Sequence, residues 1–143
     1  MENKLKKTYV IFLIPVVLGF AGAYLVKTFH FIIVDSEGIR HILAPVIFVL
    51  SVVFALALPI LFRTLFAHKM RHRQNVPERE WMAFERRFLY IAMVTPYFAL
   101  LGYFFELPRF HLAGAVLMSL YAVYFYYPSE KRVAFERRII RVR

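Results

Sequence analysis

Four stretches of this sequence pass without a charged residue: Thr8 to Val26, Ile42 to Phe62, Phe88 to Phe105 and Leu112 to Tyr127. A helix needs roughly 20 mostly apolar residues to cross about 30 Å of hydrocarbon. The first three stretches approach that length; the last falls short and must draw on Phe110 and His111 or sit where the bilayer thins. Closed strand barrels also satisfy the backbone in lipid, but they require alternating polarity, and these runs are continuous. The expected fold is therefore an all-α integral membrane protein with four transmembrane helices, forming one membrane domain over residues 1–143. Composition agrees, since 61% hydrophobic and 20% charged residues leave little material for a water-facing coat.

The charges between the stretches give the orientation. Sixteen of the 19 Lys and Arg fall at the front, in the basic loop 63–87 or in the tail 128–143, whereas only Lys27, Arg40 and Arg109 lie on the other side. Positive residues stay inside, so both termini and the central loop are expected in the cytoplasm of a bacterial-type inner membrane. Asp35, Glu37 and Glu106 cancel the three outer cations, and the net charge of +10 belongs to the inner face. Such a charge could also suit nucleic acid. Here the cations flank apolar runs and no nucleic-acid-binding motif is present, so no nucleic-acid partner is expected. The opening lysines followed by Ala21-Gly22-Ala23 imitate a signal peptide, but the apolar run continues through Leu25 and Val26.

A five-residue segment, Ala-Phe-Glu-Arg-Arg, occurs at 83–87 and again at 134–138, each time after a proline, Pro77 or Pro128. A weaker register pairs Tyr9 with Tyr90, Pro15 with Pro96, Phe29 with Phe110 and His30 with His111. Together they suggest two tandem parallel helical hairpins, each followed by a Pro-initiated basic segment. In the second copy Phe135, Ile139 and Val142 share one helical face and cations fill the rest, the pattern of an amphipathic helix at the membrane interface. Each Lys or Arg near anionic lipid contributes about 1 kcal/mol. Arg71, Arg73, Arg86, Arg87, Lys131, Arg132, Arg137 and Arg138 are the expected contacts to anionic headgroups or to a partner protein.

Chemical candidates are few. No cysteine is present, which removes disulfides, thiolate metal sites and thiol catalysis. His30, His41 and His111 lie near one depth at span ends, where paired imidazoles could hold haem b or border a quinone. His68 and His72 share a helical face, but the cations around them and the lack of a carboxylate argue against a metal. Glu106 is expected to pair with Arg109, and Pro15, Pro59 and Pro96 to bend their spans. No charge interrupts the spans, and no nucleophile constellation or phosphate loop appears. The leading expectation is a non-catalytic subunit or interaction scaffold, in a homo-oligomer or larger membrane complex, that works through its basic segments. A redox subunit and a lipid or small-molecule carrier are the alternatives.

Overall fold

The computed structural model describes residues 2–29, 37–71 and 76–140. Its elements are all helical: α1 (Glu2–Thr28), α2 (Glu37–Val52), a π-helical turn (Val53–Ala57), α3 (Leu58–Met70), α4 (Glu78–Ala92), α5 (Thr95–Phe104), α6 (Arg109–Phe125) and α7 (Glu130–Ile140). α2, the π turn and α3 continue as one long helix, as do α4 and α5. With α1 these make three helices long and apolar enough to cross a membrane. α6 and α7, bent by 76° where they meet, make a fourth if the pair is one span. Each apolar stretch thus has its own helix. The helices overrun the stretches, α1 beginning at Glu2 and α6 at Arg109, because Glu, Lys and Arg are good helix formers at an apolar boundary.

The α4–α5 helix is the innermost. Of its most apolar window 44% is buried, against 17% for α1 and 22% for the α2–α3 helix. α5 touches α1, α2 and α6, while α4 touches α1, α3 and the π turn. α1 therefore makes its main contacts with the third apolar stretch rather than with α2, its neighbour in sequence. Buried Ser51, Ala55, Ala99, Ala115, Ser119 and Ala122 let the helices approach closely. The closest approach is at Gly114, where the Phe48 ring occupies the space that a Cβ would need. Outside, Leu18, Ile42, Ile60, Leu117 and Tyr124 are each more than half exposed. An apolar surface of this extent calls for lipid or another protein to cover it.

Proline has different local effects along the chain. Pro15 lies inside an uninterrupted α1. Pro96 follows the break at Met93 and Val94 that separates α4 from α5. Pro59 has no N–H to offer the carbonyl of Ala55, four residues earlier, and the helix there widens into the π turn. The Tyr126 hydroxyl, at the end of α6, donates to that carbonyl at 2.8 Å. A second tyrosine works in the same way: Tyr9 donates at 2.7 Å to the carbonyl of Val123, one of the orphan acceptors in the last turn of α6. Both hydroxyls lie in the central core with Phe88, Leu89 and Met93.

Candidate functional site: the charged cap

The site forms where α4 and α7 begin. Pro77 caps α4 in an extended conformation, and its carbonyl accepts from the N–H groups of Glu80 and Trp81. Glu78 and Glu80 complement the positive end of the helix dipole. At the second site Pro128 is buried and the Ser129 hydroxyl accepts the Arg132 N–H at 3.3 Å, an N-cap that starts α7 across the bend from α6. Leu5, Met70, Val76, Trp81 and Met82 form the apolar floor, with Val133 of α7 packed against it.

Above this floor, the glutamates of the two Ala-Phe-Glu-Arg-Arg segments meet. Glu85 and Glu136 are both buried, and their carboxyl groups share a hydrogen bond. Arg132 joins them, with Nε 3.1 Å from Glu136 Oε1 and a terminal nitrogen 3.8 Å from Glu85 Oε2. Arg63 reaches Glu136 Oε1 at 3.6 Å from the middle of α3. Arg132 also donates at 3.1 Å to the Phe125 carbonyl, which places a cation at the negative end of α6. Its guanidinium lies within 6 Å of the Phe88 and Tyr126 rings, at 5.8 and 5.7 Å. A final tie joins Arg137 to Glu78 at 2.8 Å, over the Trp81 ring.

Glu85 precedes Phe88, where the apolar stretch begins, so this cluster lies outside the four uncharged segments. Two carboxyls in contact in a poorly solvated place cannot both ionise freely. Burial pushes the Glu85 carboxyl up to about 9, and the neighbouring Glu136 adds to the shift. Burial also opposes ionisation of Glu136, but the hydrogen bond from Glu85 and the charges of Arg132 and Arg63 outweigh it and hold Glu136 below the usual carboxylate range. At neutral pH the pair therefore holds one proton: Glu85 is the donor and Glu136 the charged acceptor. The arrangement is a buried lock of α7 on α4 and α3.

The expected contact residues divide into two sets. Arg132 and Arg137 turn inward, into the lock and onto Glu78. Arg71, Arg86, Arg87, Lys131 and Arg138 are exposed. Arg73 lies outside the described residues. Phe135 and Ile139, four residues apart on α7, are both exposed, whereas Glu136 is buried. The sequence reading missed Glu85, Glu136, Arg63 and Tyr126. The first two had a signal: they are the one acidic position repeated identically in both five-residue copies.

Among the described residues, the histidines do not assemble a comparable site. His41 is exposed, and His30 and His72 lie outside the described residues. His111 is half-buried, edge-on to Phe48 and Phe110, with its Nδ1 lacking a hydrogen-bond partner. Beside it the Phe48 ring of α2 packs directly on Gly114 of α6. Among the described residues no group of three His, Asp or Glu side chains could hold a metal. Glu106, expected to pair with Arg109, instead bridges Lys27 at 3.3 Å and Arg40 at 3.6 Å. Lys27 is fixed there by the Tyr103 carbonyl at 2.7 Å and by the Tyr103 ring. Comparison with protein-family models, with curated proteins and with solved structures gives no match for this chain.

Proposed function

We propose that this chain is a multi-pass protein of a bacterial-type inner membrane, with both termini cytoplasmic, that acts as a non-catalytic subunit or scaffold of a larger membrane assembly through its basic cap. The observation that carries this reading is the lock between the two Ala-Phe-Glu-Arg-Arg segments. It turns a basic loop and a basic tail into one ordered surface, with Arg86, Arg87, Lys131 and Arg138 left outside. A flexible positive tail would have needed no such internal network. The exposed apolar residues on α1, α2, α3 and α6 support insertion, and the sixteen cations on one side support the orientation. The meeting of Glu85 with Glu136, equivalent positions in the matching segments, supports two tandem units derived from one.

The chain has no cysteine, so single cysteines can report topology directly. A cysteine at Lys131 should resist an impermeant maleimide added outside intact cells, and one at Arg109 should react. The opposite pattern would overturn the orientation. For the scaffold role, Lys131→Glu with Arg138→Glu leaves the lock intact and reverses the exposed charge. Loss of a co-purifying membrane protein in that variant, with normal membrane insertion, supports the reading; unchanged co-purification counts against it.

A further inference from the structure

Among the described residues, clefts at the charged end differ in the charge of their linings. One of about 360 Å³ between α4 and α7 includes Glu130 beside Arg137. Another, of about 310 Å³ between α3 and α4, includes Glu80 beside Lys69 and Arg87. A third, of about 520 Å³, lies between the start of α1 and the outer face of α4, lined by Lys4, Arg79, Met82, Ala83, Arg86, Arg87 and Tyr90. It has four cations and no acid. None of the four makes an ion pair among the described residues, whereas Arg63, Arg132 and Arg137 at the same end all do.

We infer that this cleft binds the phosphate headgroup of an anionic phospholipid. Arg79, Ala83, Arg86 and Tyr90 recur at helical spacing and present one face of α4, with Lys4 opposite on α1. Four like charges around one space repel each other, and an anion between them relieves that repulsion. Guanidinium groups supply paired donors that match phosphate oxygens. The cleft also crosses a boundary: its arginines precede Phe88, while Tyr90, packed on Phe12 at 5.2 Å, belongs to the apolar stretch. A soluble phosphate compound would use only the charged part. A phospholipid uses both, its phosphate among the arginines and its glycerol and chains passing Met82 and Tyr90.

This inference rests on the membrane reading above, so the test separates the two. Full-length protein in an uncharged detergent is titrated with phosphatidylglycerol or phosphatidylcholine and read by native mass spectrometry. The expected result is one retained phosphatidylglycerol, bound about thirtyfold more weakly by the Arg86→Gln, Arg87→Gln variant. Removing the same charge elsewhere, with Lys131→Gln and Arg138→Gln, should change retention by less than about twofold. A second cleft variant, Lys4→Gln with Arg79→Gln, should weaken binding as the first does, which guards against one pair acting through misfolding. Equal losses in the cleft and control variants, or equal retention of the two lipids, would overturn the inference. So would inorganic phosphate binding in the cleft without lipid preference, which would assign it to a soluble ligand. Alkali-resistant association with cell membranes tests the membrane reading on its own and would survive any of these results.

Discussion

The two ends of the molecule each hold glutamate chemistry between two cations, and they use it in opposite ways. At the cap, Glu136 sits between Arg132 and Arg63, is buried, and shares a proton with a second carboxyl. At the far end, Glu106 sits between Lys27 and Arg40 with its side chain 52% exposed. A buried ion pair is costly to break, because each partner left behind is uncompensated. An exposed pair is screened by water and contributes little. Similar contacts at similar distances thus yield a structural lock at one end and a weak clasp at the other. The far end adds a further difference: Glu106 has φ 53°, the left-handed conformation that ends α5, with the Leu107 N–H bonded to the Gly102 carbonyl behind it.

The largest test of this contrast is Arg132→Ala. It removes the shared partner of both glutamates and the cation at the end of α6, and should cost about 3–5 kcal/mol. Trp81, the only tryptophan, lies under Arg137 of α7 and is buried, so release of α7 should shift its emission to the red. An unshifted spectrum and an unchanged melting temperature would mean that the lock does not hold α7.

Proton linkage gives the next test. The folded state keeps a proton on Glu85 that the unfolded chain releases above its ordinary value of 4.5, so this group lowers stability as pH rises from there to about 9. Glu136 has the opposite sign, because its folded value is depressed. Its contribution is present above the ordinary value and is lost as pH falls through the folded one. Melting temperature should therefore decline from mildly acidic pH toward about 9, and Glu85→Gln should flatten that decline. Glu136→Gln should destabilise the protein at neutral pH. Parallel pH profiles for Glu85→Gln and the parent would refute the shared proton.

Smaller effects are expected from neutral and exposed contacts. Tyr126→Phe leaves the Ala55 carbonyl without its donor and should cost about 1–2 kcal/mol in thermal unfolding. At the far end, Glu106→Ala should cost less than about 1 kcal/mol. Glu106→Gly loses the same ion pairs but relieves a left-handed backbone worth about 1 kcal/mol, and should melt above Glu106→Ala. If Glu106→Ala proved as damaging as Arg132→Ala, the difference between the ends would vanish.

The four helices were legible because long uncharged runs leave one solution to backbone hydrogen bonding, and Pro128 announced the bend before α7. Pairings across the fold were less legible. Glu106 has Arg109 close by in sequence, yet the turn at Leu107 and Pro108 leads into a new helix, and Lys27 and Arg40 arrive from two other helices. Nothing local encodes that. The repeated segment drew attention to the right ten residues for a different reason: its arginines suggested a surface, whereas its glutamates formed the interior. Pro59 foretold a distorted helix but not that Tyr126, 67 residues later, would satisfy the carbonyl it freed.

That last bond also limits how the molecule can move. Helical bundles can transmit a stimulus by axial sliding of one helix, by rotation, or by tilt. The Tyr126 hydroxyl is fixed to one carbonyl of the neighbouring helix, and sliding α6 by even one residue, about 1.5 Å, would carry it away from that acceptor. A piston-like shift of α6 therefore breaks this bond, at a cost of about 1–2 kcal/mol, while tilt about the Tyr126–Ala55 contact keeps it. The contact serves as a fulcrum between the two ends.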